Sequence, residues 1–350
     1  MSLTDTVVTA ARNAWALTFG PGVSSPDPAP STVLWDEPHR LLRRYEGVHP
    51  AASEDAAVLL VPPLAAPASC FDLRPEHSVV RFLLETGRRP YLVDYGEITF
   101  ADRRMGMEDW IDDILLESVL RVSADRGGAP VDLVGWSLGG TLALLTAAAN
   151  AHLPIRSVTA IGSPLDYDEM TGIPQVRAVA SLTGGLATST AIRAAGGVPA
   201  PLTRLAYRVT AWDREVKRPW FIAENLARTE MLARMESVDR FMAEMPGYPG
   251  RFYGQLWGRL ILANDIGRGV LRLGERDIAL AEVTAPVLLI GGPEDVITRA
   301  AAVKAGTRLL TGAAKVRYEA VPGSHLGILT GASARETTWA HLDEFLTEGA

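Results

Sequence analysis

Ser137, Asp295 and His325 are the side chains of this sequence whose types and spacing could together make a nucleophilic site. A serine hydroxyl is a weak nucleophile at neutral pH, so it needs a base within hydrogen-bond reach and a carboxylate that holds the base in the right tautomer. Ser137 lies in V-D-L-V-G-W-S-L-G-G-T, where the apolar run from Val131 ends in Gly135-x-Ser137-x-Gly139 and an Ala- and Leu-rich segment continues to Asn150. That is the pattern of strand, sharp turn and helix, with glycines two residues either side of the serine to let strand and helix come close. Asp295 follows the apolar run Pro286–Ile290 in G-G-P-E-D-V-I-T, and His325 follows Val316–Val321 in P-G-S-H-L-G. Each therefore falls just past the carboxyl end of an expected strand, where open α/β sheets carry their reactive groups.

The acid has rivals in Glu294 beside it and in Asp166 and Asp168 after the strand expected at 157–161; Asp295 is preferred. His39, His49, His77, His152 and His341 fit no role in this scheme. The Leu138 amide, at the start of the helix, is one expected oxyanion donor. The second should come from the loop after Ala57–Val61; Pro62 and Pro63 have no N–H, which leaves Leu64 or Ala65. Trp136, Trp220 and Trp257 are the candidate substrate contacts, within an aromatic series that also includes Tyr207, Trp212, Phe221, Phe241, Tyr248, Phe252 and Tyr253 and that suggests an apolar acyl site. Cys70, the only cysteine, reads as a small buried residue, since nothing near it in sequence would activate a thiol.

The elements that must hold these groups alternate. Ala57–Val61 reads as a strand buried on both faces, Ser78–Glu85 as a helix, Pro90–Val93 as a strand and Met107–Val122 as a helix. After the turn at Ser137 and a strand at Ser157–Ile161 the pattern stops, and Leu165–Glu282 offers helices without a convincing strand, Phe221–Glu244 being the longest. It resumes with Pro286–Ile290, a helix at Thr298–Leu310, a strand at Val316–Val321 and a closing helix at Ala334–Leu346. Alternation of this kind implies right-handed crossovers and a mostly parallel sheet flanked by helices. The expected division is an N-terminal helix and connector at 1–50, core at 51–164, a helical cap at 165–282 inserted after the sixth strand, and core again at 283–350. Trp35–Tyr45 reads as an extended first pass at the sheet. The first helix, capped by Thr4 or Asp5, carries Val8, Ala11, Ala14, Trp15 and Phe19 on a partly apolar face. That face is expected to pack on its own domain, a lipid or polymer surface being the other option.

With 47% hydrophobic and 21% charged residues the 350-residue chain reads as soluble and globular. A net charge of -7 leaves no basic footprint for nucleic acid. A single cysteine, no leader-like start and no apolar run long enough to span a bilayer fit a cytoplasmic protein. Nothing in the sequence sets the oligomeric state, a homodimer included.

The order serine, aspartate, histidine is that of the α/β-hydrolase arrangement. Several blocks resemble something narrower: V-P-P at Val61, D-L-R-P-E-H-S at Asp72–Ser78, G-W-S-L-G-G-T at Gly135–Thr141, N-D-I-G-R-G at Asn264–Gly269, and the Asp295 and His325 loops. Together, over roughly residues 50 to 346, they resemble the polyhydroxyalkanoate synthase family. The resemblance implies an α/β-hydrolase core with a helical cap, acyl transfer from hydroxyacyl-CoA thioesters, and a triad of Ser137, Asp295 and His325. Those synthases carry a cysteine nucleophile where this chain has Ser137. Because a seryl ester in a site open to water is ordinarily hydrolysed, the expectation moves towards hydrolysis of medium- or long-chain acyl esters or thioesters. Synthase-like acyl transfer on 3-hydroxyacyl-CoA and an inactive granule- or lipid-droplet-binding relative are the alternatives. The triad mechanism calls for no metal and no organic cofactor.

Overall fold

The computed structural model describes residues 3–24, 26–47, 57–183, 196–210 and 212–348. Eight strands form one sheet: β1 (Ser31–Trp35), β2 (Leu41–Tyr45), β3 (Ala57–Val61), β4 (Arg89–Asp94), β5 (Val131–Trp136), β6 (Ile155–Ile161), β11 (Val287–Gly291) and β12 (Val316–Ala320). Between β6 and β11 lie the short pair β7 (Gly197–Val198) and β8 (Tyr248–Pro249) and the hairpin β9 (Val270–Leu273) and β10 (Arg276–Ala279). The sheet order is β1-β2-β4-β3-β5-β6-β11-β12, antiparallel across β1, β2 and β4 and parallel from β4 onwards. The fold is thus α/β, a mostly parallel eight-stranded sheet flanked by helices.

The apolar runs explain the order. Every residue of β3, β5 and β11 is buried, as expected of central strands covered on both faces. Their side chains alternate between two cores. Leu59, Val61 and Leu133 join Trp110, Ile114 and Leu142 on one face, and Val58, Leu60 and Val134 join Phe71, Val80 and Trp339 on the other. Cys70 is fully buried in the second core, and burial pushes its thiol pKa well up. The helix Leu138–Ala149 is buried from Leu138 through Ala148, which explains its nearly uniform apolar composition.

Several sequence expectations need correction. The single pass at 35–45 is two strands, with His39 at φ 62 in the connection and Trp35 opposite Leu42. The described residues of 165–282 contain four short strands, and its longest expected helix divides into Trp212–Asn225 and Thr229–Ala243. The helix at 107–122 reaches Asp125 through a π-helical segment, Trp110–Ile114. That at 298–310 is two short helices, Ala300–Lys304 and Gly306–Leu309, and the closing helix begins at Thr338.

The first helix runs Leu3–Phe19, so Thr4 and Asp5 lie inside its first turn. Its expected packing face is turned outwards: Val8, Trp15 and Phe19 are exposed, while Asn13 on the other side is buried and donates to the Leu226 carbonyl and to Thr229 Oγ1 at 2.8 and 3.0 Å. A satisfied buried amide anchors the helix by its polar face. The boundary expected near residue 50 lies outside the described residues. No described helix is long and apolar enough to cross a membrane.

Candidate active site

Parallel pairing brings the ends of four strands to one edge. Trp136 of β5 and Ile290 of β11 both pair with Ile161 of β6, and Gly291 pairs with Ala320 of β12. The loops leaving these strands carry Ser137, Asp295 and His325, so side chains up to 188 residues apart meet there.

The turn at Ser137 is tight. Ser137 has φ 53 and ψ −130, a positive-φ conformation that costs a non-glycine residue on the order of 1–3 kcal/mol. Its amide donates to the Ile161 carbonyl at 2.8 Å, and the helix starts at Leu138. A Cβ on Gly139 would lie 2.2 Å from the Val61 carbonyl oxygen, and one on Gly135 would lie 2.4 Å from the Gly140 Cα. Only residues without a Cβ let the strand, the helix and the end of β3 approach this closely. Gly140, which the serine pattern does not flag, is as constrained as its neighbours: its Cβ would meet Ser163 Oγ at 2.1 Å.

His325 Nε2 lies 2.9 Å from Ser137 Oγ, and its Nδ1 lies 2.6 Å from Asp295 Oδ2. Asp295 is 2% exposed, and its Oδ1 accepts the Ile297 and Thr298 amides, both at 2.9 Å. One carboxylate oxygen is thus fixed by backbone and the other faces imidazole. The arrangement fits an imidazole protonated at Nδ1, with Nε2 free to accept the serine proton.

The rival acids are engaged elsewhere or exposed. Asp166 binds Asn264 Nδ2 at 2.8 Å and Arg308 at 2.5 Å; Asp168 binds Asn264 and pairs with Arg177. Glu294 points to solvent. Leu64 and Ala65 are each 1% exposed in the loop that follows β3, whose start packs against Gly139, the residue after Leu138.

The three tryptophans expected at the substrate do not gather there. Trp136 is 3% exposed, and its indole N–H donates to the His325 carbonyl at 3.1 Å. Its ring lies 5.1 Å from the imidazole and 6.2 Å from Phe241, so it braces the histidine from behind. Trp220 is 70% exposed on the outer side of its helix. Trp257 lines a separate hollow with Arg103, Arg104 and Arg259. Of the other aromatics, Phe241 and Phe252 are core, Tyr248 and Tyr253 pack around Phe252 or each other, and the side chains of Tyr207 and Trp212 lie outside the described residues.

Sequence reasoning also missed Gly162. It follows β6 at φ 58, and a Cβ there would lie 2.9 Å from Ile328 Cδ1 and 3.4 Å from His325 Cε1. The signal was a glycine at a strand's carboxyl end.

His77, in the D-L-R-P-E-H-S block, is buried and its Nδ1 lies 2.7 Å from the Thr330 carbonyl; burial, reinforced by nearby Arg234, lowers its pKa. Asp72 in the same block binds the Ala29 amide at 2.7 Å and Ser78 Oγ at 2.6 Å. Both are structural ties between the loop after β3 and its surroundings.

The sequence matches the model of the alpha/beta hydrolase family over residues 58–336. It is similar to the poly(3-hydroxyalkanoate) polymerase subunit PhaC of Haloarcula marismortui, 22% identical over 327 residues covering 91% of this chain and 68% of that one. It is likewise similar to the PhaC subunit of Allochromatium vinosum, 21% identical over 322 residues covering 91% and 89% of the two chains. Against the former, it spans about two thirds of the relative's length. The solved monoacylglycerol lipase of Paleococcus ferrophilus superposes with a TM-score of 0.51 at 16% identity, covering 88% of this chain and 99% of that one, a likeness of fold. With its sheet order, its turn at the end of β5 and a family match over most of its length, this chain belongs to the alpha/beta hydrolase family.

Proposed function

We propose that this protein is a serine hydrolase that cleaves medium- or long-chain acyl esters or thioesters through a seryl-acyl intermediate. The observation that carries the reading is the continuous hydrogen-bonded chain Ser137–His325–Asp295 on a strained turn. Ser137 Oγ attacks the acyl carbon as its proton passes to His325 Nε2, and Asp295 stabilises the imidazolium that forms. The carbonyl oxygen becomes an oxyanion held by the Leu138 amide and by that of Leu64 or Ala65. Collapse expels the alcohol or thiol, protonated by His325. Water then attacks the acyl-serine, giving its proton to His325, and releases the acid. Every step needs only these groups, so neither metal nor organic cofactor enters the scheme.

Intact mass after incubation with a fluorophosphonate tests the reading. A single adduct on wild type that is lost in Ser137→Ala is the expected result; no adduct on folded wild type overturns it.

The similarity to PhaC subunits over 91% of the chain favours a second reading, acyl transfer from 3-hydroxyacyl-CoA to a growing hydroxyacyl chain. Product mass spectra separate the two. Hydrolysis yields monomeric acid and transfer yields oligomers. Two further readings belong with these: residues 165–282 as a cap over the catalytic edge, and cytoplasmic residence of the whole chain.

A further inference from the structure

Between the helices Trp212–Asn225 and Thr229–Ala243 and the loop that carries His325 lies a cavity of about 420 Å3. That size falls within the roughly 300–1,000 Å3 typical of small-molecule sites. Its walls are apolar: Phe221, Met231, Met235 and Val238 from the helices, Leu326 from the loop. Ser137, Leu138, Asp295 and His325 do not line it, although Ser324 and Leu326 on either side of His325 do. The cavity therefore backs onto the histidine loop and is separate from the reacting atoms.

Its charges decide what it fits. Arg74, Lys217, Arg218 and Arg234 reach its wall. Arg74 is committed to Glu76 and Glu230, both at 2.7 Å, and Arg218 to Asp239 at 3.0 Å. Lys217 has no ion pair and no hydrogen-bonded side-chain partner among the described residues; Arg234 likewise has no hydrogen-bonded side-chain partner there, and feels the charge of Glu230, one helical turn before it. Two cations without a hydrogen-bonded partner thus border an apolar chamber. A ligand with an apolar body and one negative end would complement both features.

We propose that this cavity binds a single-chain carboxylate amphiphile, a fatty or hydroxy-fatty acid. Its alkyl chain lies against the phenylalanine and methionine wall, and its carboxylate lies between Lys217 and Arg234. The site needs no turnover at Ser137, so it stands apart from the hydrolytic reading. Each methylene buried should tighten binding by roughly fourfold until the chamber is full.

Calorimetric titration of octanoate and dodecanoate, below their micellar concentrations, into the Ser137→Ala protein tests the proposal. The expected result is saturable one-to-one binding, at least tenfold tighter for dodecanoate. Charge reversal at the exposed Lys217 together with Arg234→Gln should weaken it at least tenfold, and Met235→Trp, which fills the chamber, should do the same. Wild type already carrying a fluorophosphonate on Ser137 should bind dodecanoate as the unlabelled protein does. Absence of saturable binding to the Ser137→Ala protein would overturn the proposal, as would equal affinity for 1-dodecanol. So would binding that is abolished by labelling Ser137 yet kept in the Lys217 and Arg234 variant, because the acid would then sit in the catalytic centre.

Discussion

Asp295 grips His325 with one oxygen while two backbone amides grip the other, and this division of labour gives the residue a specific signature. Asp295→Asn preserves volume and the amide contacts if its oxygen faces Ile297 and Thr298, but it presents N–H to Nδ1 and imposes the wrong tautomer. The expected outcome is a fall in kcat of about 10⁴-fold with little change in melting temperature, read by ester turnover and thermal unfolding. Gly162→Ala should behave differently. At φ 58, with Ile328 and the imidazole in the way, an added methyl should cost on the order of 1–3 kcal/mol and slow fluorophosphonate labelling of Ser137, visible together in denaturant titration and labelling kinetics. Ser137, Asp295 and His325 were legible because each stands in a local pattern of strand end and turn. The bracing contact of Trp136 was not, since it joins residues 189 positions apart and no local spacing encodes it.

Among the elements, the segment Asn264–Gly269 acts as a clasp between the end of the inserted helices and the loop after β6. Asn264, itself at φ 51, accepts the Tyr167 amide at 2.9 Å and donates to Asp166 and Asp168, both at 2.8 Å. Asn264→Ala leaves the buried Tyr167 amide and Asp166 carboxylate without this partner and should cost about 1–3 kcal/mol in denaturant unfolding while the labelling stoichiometry at Ser137 stays at one, because none of the triad contacts passes through the clasp. The hairpin β9–β10 was also within reach of the sequence: V-L-R-L and R-D-I-A flank Gly274-Glu275, and Gly274 has φ 63, as a two-residue turn opening with glycine requires. Reading the region as helical throughout overlooked that signal. The first helix was misjudged for another reason: its apolar stripe is real, yet one buried asparagine decides which face is held.

For the whole molecule, His77 links stability to acidity. Burial, helped by Arg234, lowers its pKa below the ordinary 6.5, so the folded state resists the proton that the unfolded chain accepts. The sign follows: its stabilising effect is present above 6.5 and is lost as pH falls from there through the lower folded value. The melting temperature should therefore drop between pH 7.5 and pH 5.5, and His77→Asn should flatten that part of the profile, as measured by scanning calorimetry. The continuous apolar runs made the central strands legible, because strands buried on both faces leave a continuous imprint, whereas the antiparallel edge strands and the helices between β6 and β11 leave a mixed one.

The lone thiol of Cys70 lies sealed in the second core, with its ionisation suppressed. Natively folded protein should thus be silent towards thiol reagents, and its slow modification becomes a clock for global opening. The same silence supplies a blank background: a Ser137→Cys protein would carry one reachable thiol, so any acyl-thioester or thiol-alkylated product could be assigned to the turn without mapping.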